Sequence, residues 1–311
     1  MFETVKMLAD QKIAFVFSGQ GAQQPGMGLA LYQHSPAAKR VFDMADRIRP
    51  GTSEQCFRGT KELLSQTINT QPCLFTVDLA AAAALREAGI RPIMAAGFSL
   101  GEIAALAFSG ALTEEAAFTF VCRRAEFMHE AACANAGVMG AVLGLSAETV
   151  QTLAAAHCVF PVNYNCPGQI VAAGTKEAMA LFAGAVKEAG GKLRMLNVSG
   201  AFHSCFMDAA AGRVRAWLAS SAIAVKEPEI PVYANYTAAP YQSGAAGAAL
   251  LADQVNHPVL WQTTVERMAA DGAEVFIETG EGKVLCGLIG KTLPQARTLH
   301  YSQLLELSES M

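Results

Sequence analysis

Three times along this 311-residue chain a short β-rich run stops at a glycine turn and gives way to a helical pattern. Ile13–Phe17 ends at Ser18-Gly19-Gln20-Gly21. Ile93–Ala96 ends at Gly97 and leads into the apolar stretch Leu100–Phe108, closed by Ser109-Gly110. Val275–Ile277 runs to Gly280 and leads into Lys283–Leu293. A strand followed at once by a helix cannot fold back as a hairpin onto its neighbour. Repetition of that unit therefore calls for an α/β fold with a parallel sheet flanked by helices.

The middle of the chain has another rhythm. Val138–Leu145 reads as a strand, and Ser146 caps a helix to Ala156. Val159–Asn163 and Gln169–Ala173 read as strands around Asn165-Cys166-Pro167-Gly168. Thr175 caps a second helix to Ala189, and Lys192–Val198 is a further β-type run. This βαββαβ order is the ferredoxin-like arrangement. The expected organisation is a large domain from residues 1–135 and 203–311, with a small ferredoxin-like subdomain, 136–202, inserted in it.

Composition narrows the possible roles. Hydrophobic residues make up 52% of the chain and charged residues 16%, against about 25% charged in an ordinary soluble domain. That balance excludes a disordered chain. Net charge is −4 with no basic stripe, so no nucleic-acid partner is expected. The longest apolar runs, such as Gly137–Leu145, reach nine residues, and spanning a bilayer takes about 20, so no membrane association is expected.

The eight cysteines (56, 73, 122, 133, 158, 166, 205 and 286) show no C-x-x-C spacing and form no cluster with histidines. No metal site follows, and buried, reduced thiols are expected. Residues Met1–Lys12 carry Glu3, Lys6, Asp10 and Lys12 without an apolar core. They read as no secretory signal, and a cytoplasmic protein is expected.

Gly97-Phe98-Ser99-Leu100-Gly101 fits the nucleophile-elbow pattern G-x-S-x-G between a predicted strand and a predicted helix. Glycines are needed on both sides because the turn is too tight for side chains. The serine then stands at a helix N-terminus, where free N–H groups favour an oxyanion. A hydroxyl nucleophile also needs a base. His203, in Gly200-Ala201-Phe202-His203-Ser204, reads as opening a helix whose dipole would hold the imidazole neutral. His257 and His300 compete with it, and spacing alone does not decide.

Arg124 is the most informative charge. On the predicted helix from Glu114 to Cys133 its neighbours three and four residues away are Val121, Phe120, Phe127 and Met128, all apolar. A guanidinium placed there demands an anion, either an internal Asp or Glu or the carboxylate of a ligand. Arg123, near Thr119 and Glu126, reads as solvated. Two further motifs fail. Gly280-Glu281-Gly282-Lys283 lacks the upstream glycine and the Ser/Thr of a P-loop, and Gly19-Gln20-Gly21 lacks dinucleotide-loop spacing.

Together these blocks resemble the malonyl-CoA:acyl-carrier-protein transacylase family of bacterial fatty-acid synthesis, which extends into polyketide synthase acyltransferases. The resemblance runs from Lys12 to Leu293. It rests on Gly19-Gln20-Gly21-Ala22-Gln23, Gly97-Phe98-Ser99-Leu100-Gly101-Glu102, Arg124 ahead of Glu126-Phe127-Met128, and Gly200-Ala201-Phe202-His203-Ser204. It also takes in Gln254 ahead of His257-Pro258-Val259-Leu260-Trp261, and Glu278-Thr279-Gly280-Glu281-Gly282-Lys283-Val284-Leu285.

The resemblance implies an α/β-hydrolase-like core carrying the ferredoxin-like insertion, with the active site in the cleft between them. It implies Ser99 as the acylated nucleophile and His203 as its base, oriented by backbone carbonyls near Gln254 with no triad carboxylate. The N–H groups of Gln20 and Leu100 would form the oxyanion hole, and Arg124 would bind the malonyl carboxylate. No cofactor is implied, since the CoA thioester is a substrate. Malonyl-CoA and an acyl carrier protein are the implied partners, and a monomer is expected.

Three positions depart from the family pattern. Phe98 stands where histidine usually precedes the nucleophile, Ala125 where glycine commonly follows the arginine, and Ser18 where proline often precedes the first loop. Phe98 bears on the acyl pocket. Phe202 matches the malonyl-selecting form, in which a bulky ring leaves little room for an α-methyl branch. Lys187, Lys192, Arg194 and Lys283 are candidates for docking an acidic carrier. A stand-alone polyketide-pathway acyltransferase or an acyl hydrolase is the nearest competing reading. A general esterase would instead need an acid after Ser99 and a late base such as His300.

Overall fold

The structure is a computed structural model that describes Leu8 and residues 10–305. Glu3, Lys6 and the outermost ends of the expected large domain lie outside the described residues. Among the described residues nine strands form two sheets. In chain order they are β1 Ile13–Phe17, β2 Met94–Gly97, β3 Val138–Leu143, β4 Phe160–Cys166, β5 Gln169–Gly174, β6 Lys192–Met195, β7 Val232–Tyr233, β8 Val275–Glu278 and β9 Arg297–His300.

The first sheet is wholly parallel, in the order β7-β2-β1-β8-β9. β1 (IAFVF) and β8 (VFIE) are buried at every position, as expected of strands covered on both faces. All three strands expected from the glycine turns lie at its centre. β7 and β9 extend it beyond the expectation: β7 is two residues long, and β9 carries Arg297 and Thr298 in place of an apolar run.

The second sheet is antiparallel, in the order β4-β5-β3-β6. With helices Ala147–Ala156 and Lys176–Glu188 it makes the ferredoxin-like βαββαβ arrangement. Ser146 and Thr175 cap those helices through their hydroxyls. β3 ends at Leu143 rather than Leu145 because Gly144 turns the chain at φ 85°. β4 starts one residue later than expected and runs on to Cys166, and β6 stops at Met195.

The helix Thr67–Glu87 is buried along almost its whole length and packs against the helix Glu114–Ala134. The two sheets meet where β4 lies along the segment after Gln254. Tyr164 N–H donates to the Val259 carbonyl at 2.9 Å, and Val259 N–H to Val162 at 2.8 Å. This bridge closes one side of a cleft over the C-terminal ends of β1 and β2, where ligands bind in open α/β sheets. No described helix is long and apolar enough to cross a membrane. All eight cysteines are free thiols, but Cys133, Cys158 and Cys205 are exposed, which corrects the expectation that all are buried.

Candidate active site

β2 ends at Gly97, and the helix Leu100–Phe108 begins three residues later. Ser99 between them sits at φ 52°, ψ −101°, a backbone conformation that costs about 1–3 kcal/mol and persists only where its surroundings impose it. The flanking glycines are obligatory. A Cβ on Gly97 would come within 2.0 Å of the Gly101 carbonyl oxygen, and one on Gly101 within 2.3 Å of the Phe17 carbonyl oxygen. The turn projects Oγ into a pocket lined by Gln20, Gln71, Phe98, Leu100, Arg124, Met128, Phe202 and His203 among others.

His203 reaches the same point from the far side of the insertion. Its Nε2 lies 2.8 Å from Ser99 Oγ, and its Nδ1 lies 2.9 Å from the Gln254 carbonyl and 3.2 Å from that of His257. Carbonyl oxygens only accept, so Nδ1 carries the proton and Nε2 presents its lone pair to the serine hydroxyl. Among the described residues no carboxylate is bonded to this histidine.

Where His203 sits differs from the expectation. It does not open a helix. It stands at φ 60° before a 3-10 turn, Cys205–Met207, and the helix proper is Asp208–Ser220. Burial first, and then the Arg124 charge, push its pKa down to about 4. The imidazole is therefore kept neutral by desolvation and a neighbouring cation, and no helix dipole is needed. The competing histidines face elsewhere. His257 Nδ1 bonds the Asp253 carbonyl, and His300 bonds the Gly280 carbonyl and Ser302.

Arg124 is 1% exposed. Its Nη1 donates to Gln71 Oε1 at 2.7 Å, and its Nη2 to Gln254 Oε1 at 2.8 Å and to Ser99 Oγ at 3.1 Å. Its Nε–H is buried with no partner. The internal ion pair considered for it is absent among the described residues. Burial pushes the guanidinium down to about 10, against the pull of Glu102, so it stays charged at neutral pH. A buried cation held only by neutral oxygens beside a serine hydroxyl is able to receive an anion. Arg123 pairs at the surface with Glu126 at 2.7 Å.

Gln20, Leu100, Phe98 and Phe202 also border the pocket. The N–H groups of Gln20 and Leu100 bond no acceptor among the described residues. Phe98 packs on Trp261 with ring centroids 5.5 Å apart, and Phe202 is 5% exposed. Gln254 contributes more than its carbonyl, since its Nε2 donates to the Ser99 carbonyl at 2.7 Å while its Oε1 holds Arg124.

Three participants escaped the sequence reading: Gln71, Asn235 and the carboxylate of Glu102. Gln71 lies between Ile68 and Leu74 on an apolar helix, the same signal that singled out Arg124. Glu102 is fully buried. Burial pushes its carboxyl up to about 7, against hydrogen bonds from Tyr241 and Asn235. No metal-holding cluster occurs among the described residues. The Gly280–Lys283 turn holds no phosphate cradle, because Glu278 already accepts from the Leu285 and Cys286 N–H groups of the next helix.

Comparison with known proteins decides the family. The acyl transferase domain family matches residues 14–306. The malonyl CoA-acyl carrier protein transacylase of Bacillus subtilis strain 168 is 40% identical over 94% of this chain and 93% of its own. The chain belongs to the malonyl-CoA:acyl-carrier-protein transacylase family. Among solved structures, an acyl carrier protein S-malonyltransferase from Vibrio cholerae superposes with TM-score 0.89 at 33% identity, covering 93% of this chain and 96% of that one. A malonyl-transacylase solved in complex with a type II polyketide synthase acyl-carrier protein gives TM-score 0.86 at 32% identity, with 93% and 95% covered. The transacylase fold is thus an α/β-hydrolase-like core with a ferredoxin-like insertion, as the sequence led one to expect.

Proposed function

We propose that the protein transfers a malonyl group from malonyl-CoA to the phosphopantetheine thiol of an acyl carrier protein, through an ester on Ser99. The observation that carries this reading is the position of Ser99 Oγ. It lies 2.8 Å from a neutral imidazole nitrogen and 3.1 Å from a buried guanidinium. The first contact makes a nucleophile, and the second selects an acyl group that ends in a carboxylate.

His203 Nε2 takes the hydroxyl proton as Oγ attacks the thioester carbonyl. The oxyanion is held by the Gln20 and Leu100 N–H groups. The C–S bond then breaks, and CoA thiolate leaves with the proton from His203. The carrier thiol enters, gives its proton to His203, and reverses the chemistry to release Ser99. Arg124 holds the distal carboxylate throughout. Phe202 and Phe98 wall the acyl pocket. No cofactor is required, because the thioester brings its own activation.

On this reading residues 1–135 and 203–311 supply the chemistry, while 136–202 roof the cleft. The enzyme acts as a cytoplasmic monomer and supplies fatty-acid elongation. The carrier approaches the exposed edge strand β6, where Lys192 and Arg194 lead directly to Leu196 and Val198 on the pocket wall. A hydrolase has no use for Arg124, since a neutral acyl chain leaves that cation without a partner.

The test is intact-mass measurement after mixing with malonyl-CoA. Wild type gains one malonyl group, Ser99→Ala gains none, and addition of carrier protein removes the adduct. A wild-type protein that takes up no malonyl group refutes the assignment.

A further inference from the structure

The strained conformation of Ser99 needs an opposing constraint, and the catalytic residues do not supply enough of one. His203 and Arg124 grip Oγ and Gln254 holds the Ser99 carbonyl, but none of them touches the Ser99 N–H or the Gly97 carbonyl. The constraint lies just beyond β7. That strand pairs with β2 at Ala95–Val232 and Ala96–Tyr233, which brings Asn235 beside the end of β2. Its side-chain amide continues the ladder where the backbone leaves it. Nδ2 donates to the Gly97 carbonyl and Oδ1 accepts from the Ser99 N–H, both at 2.6 Å. These two groups flank Phe98, so one carboxamide spans the elbow.

Asn235 is itself held. Its N–H donates to Glu102 Oε2 at 2.5 Å, and its carbonyl accepts from Leu260 N–H at 2.8 Å. The other Glu102 oxygen accepts from the Tyr241 hydroxyl at 2.5 Å. All three side chains are at least 96% buried. The carboxamide meets both needs at the elbow, where one group needs a donor and the other an acceptor at the same moment.

We propose that Asn235 is the positioning residue of the nucleophile, with Glu102 and Tyr241 as the support that fixes its backbone. Without the clamp, the Ser99 amide rotates toward a relaxed φ. Oγ then moves from His203 Nε2, and the Leu100 N–H swings with the same peptide chain. A misplacement of about 1 Å at a reacting group costs on the order of 100-fold in rate.

The proposal rests on Ser99 being the nucleophile, and its test separates the two ideas. Asn235→Ala and wild type are compared in single-turnover acylation by malonyl-CoA, and in labelling of Ser99 by a fluorophosphonate, which requires no malonyl recognition. The expected result for the variant is a saturating acylation rate lower by about 10- to 100-fold. Half-saturation should stay within about two-fold, and phosphonate labelling should slow in parallel. A folded Asn235→Ala protein whose acylation and labelling rates both stay near wild type overturns the proposal. So does one that loses only malonyl-CoA affinity. If Asn235→Ala does not fold, Tyr241→Phe decides, since it removes one hydroxyl and almost no volume. A slower saturating rate at unchanged half-saturation supports the clamp, and an unchanged rate overturns it. Failure of wild-type Ser99 to label at all refutes the nucleophile, not the clamp.

Discussion

Replacing Arg124 with methionine keeps most of the side-chain volume and removes the charge. On the proposed function the guanidinium would give the malonyl carboxylate two charge-assisted hydrogen bonds, each worth about 1.5–3 kcal/mol. Their loss removes about 3–6 kcal/mol from malonyl recognition, and each 1.4 kcal/mol is tenfold in rate. Malonyl transfer should therefore fall by about 100-fold or more.

The same substitution also removes the Nη2 contact to Ser99 Oγ, which slows any acyl donor. Acetyl-CoA corrects for that, because it meets the same nucleophile and has no distal carboxylate. It also gains from the removal of an unmatched buried cation. The informative quantity is the ratio of malonyl to acetyl single-turnover rates, read by quenched intact-mass measurement. That ratio should drop by at least about 100-fold in Arg124→Met. A ratio within fivefold of wild type would show that Arg124 does not read the carboxylate.

Burial and Arg124 lower the His203 pKa from an ordinary 6.5 to about 4. The neutral base therefore persists to low pH, and acylation should decline only with a midpoint near 4. A decline centred near 6.5 would place His203 in solvent. The same depression makes this group's contribution to stability complete above pH 6.5 and lost as pH falls from 6.5 toward 4, because only the unfolded chain takes up the proton in that window. Gly97→Ala puts a Cβ within 2.0 Å of backbone and should lower the melting temperature sharply and abolish acylation, whereas a folded, active variant would contradict the elbow geometry. Phe202→Ala should raise methylmalonyl-CoA acylation relative to malonyl-CoA, and unchanged selectivity would remove Phe202 from the acyl pocket. Lys192→Glu combined with Arg194→Glu should raise the KM for an acidic carrier protein with malonyl-CoA acylation intact, and an unchanged KM moves docking elsewhere.

Residue order alone determined much of this protein. Strand, glycine and helix in immediate succession leave a parallel sheet as the outcome, because a hairpin has no room to form. Caps at Ser146 and Thr175 and the βαββαβ order announced the second sheet. Arg124 revealed itself because a permanent charge among Phe120, Val121, Phe127 and Met128 demands an anion, internal or from a ligand.

Other features could be decided only in three dimensions. β7 and β9 are too short or too polar to stand out, and they become strands because β2 and β8 offer them open edges. Spacing left three histidines in competition, and the fold settled it by placing His203 Nε2 at 2.8 Å from Ser99 while turning His257 and His300 to other carbonyls. The low pKa of His203 came from burial rather than from a helix start. Gln71, Asn235 and Glu102 are ordinary polar residues in the linear chain. They matter because folding removes them from water, so each must find partners, and the partners within reach are Arg124, the Ser99 backbone and one another.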